Sequence, residues 1–395
     1  MTTEKRRILS IDILRGLVMV VMALDHTRDF FHFNGNMMAD PMNPETTNIF
    51  LYFTRWITHF CAPIFVFLSG ISAYLSSKDK TPKEAGTFLI KRGIWLIFVE
   101  IVIITLGLTF NPIFSFIILQ VIWAIGCSMI LLGLLSRISR HLVLIVGLIL
   151  FFGHNILDYL KLPAADTLSG GLISFLFTTR GSVIQLGPQN FLGDFYAILP
   201  WTGAMFLGFS IGRWYNSAFD SNRRKRLLFF SGLGLFISFL LLRYFSLYGN
   251  PTPRKEYADQ LMAIFDFFNV SKYPPSLQYF GMTLGPALMI LSGIENVKNW
   301  FTKTMMVYGN VPFFYYVLHF YLIHIILVAF FFATGYGVDR IVDPQSPFLF
   351  RPSDFGYSLP IVYTIWLSVV AILYQPCIWF RIYKLSHTQW WLKYL

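Results

Sequence analysis

Charge is what this sequence has least of. Only 13% of its 395 residues are Asp, Glu, Lys or Arg, about half the roughly 25% of soluble chains, and that excludes an ordinary soluble domain. Cysteine is scarce as well. Cys61, Cys127 and Cys377 are odd in number and sit inside apolar runs, so a disulfide framework is not expected and small core packing is. No Gly-rich loop precedes a lysine in phosphate-binding fashion, and no Cys/His set has zinc spacing. The eight histidines are scattered, without a supported ligand pair, so no metal is expected. Acidic residues number 20 against 31 basic ones, a net charge of +11. In so apolar a chain that excess fits Lys and Arg collecting in cytoplasmic loops, and nucleic acid is not an expected partner.

What is abundant is apolar: 55% of the residues are hydrophobic, and 42 are Phe. Taking about 20 residues per span, ten segments qualify, near 8–30, 55–76, 88–108, 112–135, 141–157, 194–213, 227–247, 274–294, 305–333 and 360–381. The ninth is long enough to tilt or break near Gly309 and Pro312. The expected fold is an all-α membrane protein, a polytopic bundle of about ten transmembrane helices forming one domain over 1–395. With both termini cytoplasmic, the inner segments hold 20 of the 31 Lys and Arg and the outer segments 10, with Arg15 inside the first helix. That bias supports the orientation. The apolar run after MTTEKRR holds Asp12 and Arg15 and lacks a small-residue cleavage site, which favours a retained helix over a signal peptide. Among the long outer loops, 158–193 carries an apolar stretch at 172–178 and Arg180-Gly181, consistent with a re-entrant segment. Residues 255–270 have helical periodicity, either an amphipathic helix on the outer leaflet or a cap over the bundle. Gly208-x3-Gly212 and Gly281-x3-Gly285 are expected to let helices approach closely. No internal repeat is evident.

Intramembrane charge is functional by default, and the first helix concentrates it. Asp12 and Arg15 lie near one end; Asp25, His26, Arg28, Asp29 and His32 lie near the other. His26 follows Arg15 by 11 residues, about 16 Å and three turns, so the two share a stripe. His26 is the first candidate general base, with Asp25 or Asp29 to orient it and Arg28 to neutralise them. Arg15 matches phosphate geometry, or pairs with Asp12 one turn away, or snorkels. Arg55 and His59 share a face of the second helix, and Pro63 is expected to kink it. His59 is either a site member or a hydrogen bonder between helices. His319 and His324, in the ninth segment with Asn310, Tyr315 and Tyr316, are about 140° apart around a helix and cannot serve one ligand. Gln120 and Trp123 could line a tunnel in the fourth segment. Glu100 is a buried carboxylate candidate without an evident partner.

Ser10, Asp12, Leu14, Arg15 and Gly16 form S-x-D-x-L-R-G ahead of Arg-x10-His. The pattern resembles the transmembrane acyltransferase superfamily, which includes the acyltransferase-3 proteins and the catalytic domain of heparan-α-glucosaminide N-acetyltransferase. R-W-I-T-H-F-C-A-P-I-F-V-F-L-S-G from Arg55 resembles the second-helix signature of bacterial relatives of that domain. L-Q-V-I-W-A-I-G from Leu119, K-Y-P-P-S-L from Lys272 and G-N-V-P-F-F-Y-Y-V-L-H from Gly309 continue the likeness. The resemblance implies an integral-membrane acyltransferase, and the compact, domain-free chain is expected to sit, multi-pass, in a bacterial inner membrane. An acetyl or other short acyl group would pass from cytoplasmic acyl-CoA to a hydroxyl or amine of an extracytoplasmic carbohydrate or glycolipid. The catalytic group expected is His26, Asp25 and His59. The expected donor contacts are Arg15, Asp12, Gln120 and Trp123, with acetyl-CoA as donor substrate. The expected acceptor contacts are Arg28, Arg55, His319 and Asn310. His319 is favoured over His324 because it matches the family motif. In the heparan enzyme an asparagine region takes the place of Asp25-His26, which makes His32 a rival base. A transporter or flippase, or a non-catalytic scaffold, is the alternative class.

Overall fold

The computed structural model describes residues 8–33, 40–179 and 183–393. Lys5, Arg6, Arg7 and Arg180-Gly181 lie outside the described residues. The chain is mostly helical. Helix α1 spans Leu9–Phe31, followed by α2, Ile49–Thr58, and α3, Cys61–Ser77. Helix α4, Pro82–Val99, starts at a capping box in which Thr81 and Glu84 bond each other's backbone N–H, with Pro82 in the first turn. A π-helical turn at Glu100–Ile104 joins it to α5, Thr105–Thr109. Strand β1 is Phe116–Leu119. Then come α6, Val121–Ser136, α7, Arg140–Gly153, and the short α8, Leu168–Ile173.

Strands β2, Val183–Gly187, and β3, Asn190–Asp194, form a hairpin. Next are α9, Ile198–Ile211, α10, Ser221–Tyr244, and α11, Gln260–Phe268. The chain continues with α12, Leu277–Gly293, α13, Trp300–Gly309, α14, Pro312–Ala333, and α15, Leu359–Ser386.

Among the described residues, five helical stretches are long and apolar enough to cross a membrane: 49–77, 140–159, 221–244, 312–333 and 359–386. Helix α1 has the length, 23 residues or about 34 Å, but carries Asp12, Arg15, Asp25, Arg28 and Asp29 at both ends, whereas 221–244 has four of its five charges in its first turns.

The all-α expectation needs correction. β1 pairs in parallel with β3, from Phe116 opposite Phe191 to Leu119 opposite Asp194, and β3 pairs antiparallel with β2. The run Phe-Ile-Ile-Leu has strand-forming side chains, and Pro188-Gln189 makes the hairpin turn between Gly187 and Asn190. The spanning segment expected at 112–135 is therefore a strand followed by the 16-residue α6.

The second segment breaks at His59-Phe60, between α2 and α3, four residues before Pro63. Pro63 has no N–H to give the His59 carbonyl, and that carbonyl instead accepts the Tyr279 hydroxyl at 2.7 Å. The ninth segment breaks at Asn310-Val311, with Pro312 opening α14, as its sequence predicts. Helix α11 caps the bundle. Phe265 stacks on Tyr52 with ring centroids 4.0 Å apart, and Asp266 pairs with Arg243 of α10 at 3.1 Å.

Backbone approach through glycine sets where α1 sits. A Cβ on Gly16 would fall 1.8 Å from the Met305 carbonyl oxygen, and one on Gly309 would fall 1.8 Å from that of Asp12. Only glycine lets α1 and α13 meet this closely. Gly208 meets the Phe67 carbonyl in the same manner, at 2.1 Å, and Gly232 meets that of Gly285 at 2.5 Å.

Gly309→Ala must push α13 off α1, since the obstructing atom is backbone. Overpacking of this kind costs about 1–3 kcal/mol, so the variant should melt below wild type in detergent. Gly234→Ala, with nothing within 4 Å of the added carbon, should not.

Candidate active site along the first helix

Arg15, Asp25 and His26 of α1 are answered by different neighbouring elements. At the Arg15 end, Arg15 Nη1 bonds Asp12 Oδ1 at 3.2 Å and the Gly309 carbonyl of α13 at 3.4 Å. Its Nη2 bonds Ser72 Oγ of α3 at 2.7 Å. Arg92 of α4 faces the same place. Its Nε is buried with no partner, and Arg15 is the charged group that acts on it. Asn310 caps α13 one residue past the carbonyl that holds Arg15, so it belongs to this end rather than beside the imidazole.

At the other end, His26 Nδ1 lies 2.6 Å from His319 Nε2 of α14, and His319 Nδ1 lies 2.5 Å from the Tyr316 carbonyl oxygen. The carbonyl can only accept, so His319 Nδ1 carries a proton. In a neutral ring its Nε2 is then bare and accepts from His26 Nδ1–H. That leaves the lone pair of His26 on Nε2. The hydrogen-bond chain thus fixes both tautomers. His319 is fully buried; His26 keeps part of its surface accessible. Phe320 stacks on His26 at 4.4 Å and confines the ring.

Asp25 is engaged elsewhere. Its carboxylate receives Arg55 Nη1 on both oxygens at 2.7 and 2.6 Å, Thr58 Oγ1 at 2.9 Å and Arg28 Nη2 at 3.0 Å. Arg28 also bonds Asp29 at 2.5 Å. Arg28 and Arg55, expected at an acceptor, are both held by α1 carboxylates. His59 Nδ1 lies 2.8 Å from the Arg55 carbonyl, and its ring sits against Tyr279. The rival base His32 ends α1, where its carbonyl accepts Arg351 Nη2 at 3.0 Å. Glu100 now has partners: the backbone N–H groups of Gln120 and Trp123, each at 3.2 Å. It caps α6 from the π-helical turn, and Gln120 and Trp123 meet it through their backbone.

Arg92 and Lys272 were legible in the sequence only as loop cations. Lys272 is 8% exposed, with its ammonium 5.1 Å from the centre of the Tyr273 ring. The signal available for it was the Lys272–Leu277 motif. Among the described residues, no three His, Cys, Asp or Glu side chains gather closely enough to hold a metal.

A charged helix anchored from every side, with an imidazole pair at one end and arginines at the other, matches the motifs that open the chain. The profile of the family described as heparan-alpha-glucosaminide N-acetyltransferase, catalytic, matches residues 7–242, more than half of the sequence. The chain belongs to this family. No curated protein matches the sequence. A membrane protein of an acetyltransferase family is therefore the setting for the site. His26, Arg15, Asp25 and Arg55 lie inside the matched residues, and His319, outside them, completes the imidazole pair.

Asp25→Asn leaves Arg55 without its anion inside the protein and Arg28 with Asp29 alone. Breaking one partner of a buried pair costs about 3–5 kcal/mol, so thermal unfolding of this variant should shift well below wild type. A melting curve that overlays wild type would show that the cluster contributes little to stability.

Proposed function

We infer that the protein is an integral-membrane acyltransferase. It moves an acetyl or other short acyl group from cytoplasmic acyl-CoA to a hydroxyl or amine of an extracytoplasmic carbohydrate or glycolipid. The observation that carries this is the Tyr316–His319–His26 chain, which leaves His26 Nε2 as a proton acceptor on the only ring of the pair with accessible surface.

The acceptor's hydroxyl or amine attacks the thioester carbonyl while His26 takes its proton. The imidazolium then returns the proton to the departing CoA thiolate. His319 is a positioning residue: it accepts from His26 Nδ1 and holds the tautomer. No acyl-enzyme is required. His26 is preferred to His32 because its Nδ1 meets the His319 imidazole. Asp25, with Arg28, Arg55 and Thr58, keeps the approach to His26 rigid, and His59 borders the same cluster.

Arg15 and Arg92 supply the donor end. Two cations brought together, one with an orphaned buried N–H, suit the phosphates of CoA. The pantetheine arm would run along α1 towards His26, about 16 Å away by helix rise. Asp12 orients Arg15; Gln120 and Trp123 would border the path, and Asn310 would border its Arg15 end. The proposed setting is a bacterial inner membrane, with about ten crossings, both termini cytoplasmic and 1–395 acting as one domain. No metal is invoked.

Incubation of the purified protein with acetyl-CoA should release CoA, and His26→Ala should lower that rate by roughly 10²–10⁴ with CoA binding intact. Full activity in a folded His26→Ala protein would contradict the assignment, and CoA binding without turnover would favour a transporter. Arg15→Ala and Arg92→Ala should each weaken CoA binding, read by loss of CoA-induced thermal stabilisation. At His319, Gln retains an acceptor for His26 Nδ1–H and Phe does not. His319→Gln should therefore keep more activity than His319→Phe at equal expression, and equal losses would remove the positioning role.

A further inference from the structure

Helices α13 and α14 climb beside α1 in the same direction. Gly309 lies against Gly16, His319 against His26, His324 against Phe30 and Phe330 against Phe31. Tyr316 comes three residues before His319, about 4.5 Å of rise, so it sits on the Arg15 side of the imidazole pair. Long side chains on a helix lean towards its N-terminus, which carries the Tyr316 hydroxyl further that way. Across from it is Phe65 of α3, whose ring lies nearly parallel to that of Tyr316 at 6.3 Å. Ser72, the α3 residue that holds Arg15, follows Phe65 by seven residues, about 10 Å along the helix. Tyr316 therefore lies between the two ends of the site, next to the imidazole end.

Tyr316 and His26 share two neighbours. The His319 ring centroid is 4.9 Å from that of His26 and 5.4 Å from that of Tyr316, and Phe320 is 4.4 and 5.3 Å from the same two. These contacts fix the Tyr316 ring beside the proton acceptor. Its main-chain carbonyl sets the His319 tautomer, but its hydroxyl has no part in the chemistry described so far. That hydroxyl is fully buried, and among the described residues it has no hydrogen-bond partner. An unpaired buried hydroxyl is costly and calls for an explanation. The Tyr315 hydroxyl is unpaired as well, but its ring packs against Tyr308 of α13 at 5.3 Å. At Tyr316 the missing partner is on the side from which the donor would come, and a phenol donates well to a carbonyl oxygen. Fixed donors at developing charge are among the most effective catalytic devices.

We propose that Tyr316 is a catalytic residue whose hydroxyl donates to the thioester carbonyl oxygen of the acyl donor on the inner side of His26. This rests on the acyltransferase reading above. The acceptor's lone pair forms the new bond to the thioester carbon, and its proton goes to His26 Nε2. The carbonyl π pair moves onto oxygen, where the Tyr316 hydroxyl holds it by a hydrogen bond. Collapse restores the C=O bond and breaks the C–S bond, and the thiolate takes the proton from His26. Tyr316 keeps its own proton throughout, and no group is oxidised or reduced.

The test compares full-length wild type, Tyr316→Phe and Tyr315→Phe, with acetyl-CoA as donor and either water or glucosamine as acceptor. CoA release and CoA-induced thermal stabilisation are both measured. Each substitution keeps the ring and removes one unpaired hydroxyl, so both variants should melt at or above wild type. Tyr316→Phe should lower turnover by roughly 10²–10³ and leave stabilisation by CoA, which lacks the thioester carbonyl, unchanged. Tyr315→Phe should turn over as wild type does. Wild-type turnover in Tyr316→Phe overturns the assignment and leaves the acyltransferase reading standing. Equal losses in the two variants also overturn it, as does a loss of CoA stabilisation in step with turnover, which makes the hydroxyl a donor-binding group. So does a Tyr316→Phe protein that melts well below wild type, since its hydroxyl then has a partner inside the protein. Wild-type protein that releases no CoA at all fails the acyltransferase reading itself, and the proposal falls with it.

Discussion

A polar side chain on a helix surrounded by apolar structure has to find its partner inside the protein, and α1 carries more such side chains than any of its neighbours in the bundle. Their partners come from four directions. Ser72 of α3 and the Gly309 carbonyl of α13 hold Arg15; Arg55 and Thr58 of α2 hold Asp25; His319 of α14 holds His26. Because a helix is stiff at this length, fixing these points fixes the separation of the two ends of the site. The packing serves the same end. Glycines at the α1–α13 contact bring the backbones close enough for a main-chain carbonyl to reach an arginine.

The broken helices follow the same logic. A proline withholds one N–H, and the carbonyl it frees must be satisfied by something else. His59 gives its carbonyl to Tyr279 for this reason, which ties α12, and the loop bearing Lys272 just before it, to the α2–α3 break. Glu100 solves the converse problem. Helix α6 begins after a strand rather than continuing from a helix, and its first N–H groups bond the Glu100 carboxyl where the π-helical turn presents it. Irregular backbone at this depth is tolerated where protein groups close its hydrogen bonds.

Much of this was legible in the sequence wherever the signal is local. Helix α1, the Arg15–His26 spacing, the break before Pro312 and the close glycine contacts all follow from periodicity and residue type within a few turns. What was not legible is pairing across the chain. His26 and His319 are 293 residues apart, and nothing near either one announces the other. Arg55 read as a free cation facing an acceptor because its carboxylate partner sits on another helix. The 112–135 segment read as a span because its hydropathy is continuous, although its first residues pair with a strand some 75 positions later. Lys272 read as a loop charge because burial of a loop lysine depends on what folds over it.

The central claim is that the Tyr316 carbonyl, acting through His319, leaves the lone pair of His26 on Nε2. Nitrogen-15 NMR of histidine-labelled protein in detergent tests this directly. At neutral pH the account predicts a His26 ring protonated on Nδ1, with a bare Nε2 and a hydrogen-bond coupling from Nδ1 to His319 Nε2. A His26 ring protonated on Nε2, with no coupling to His319, would contradict it.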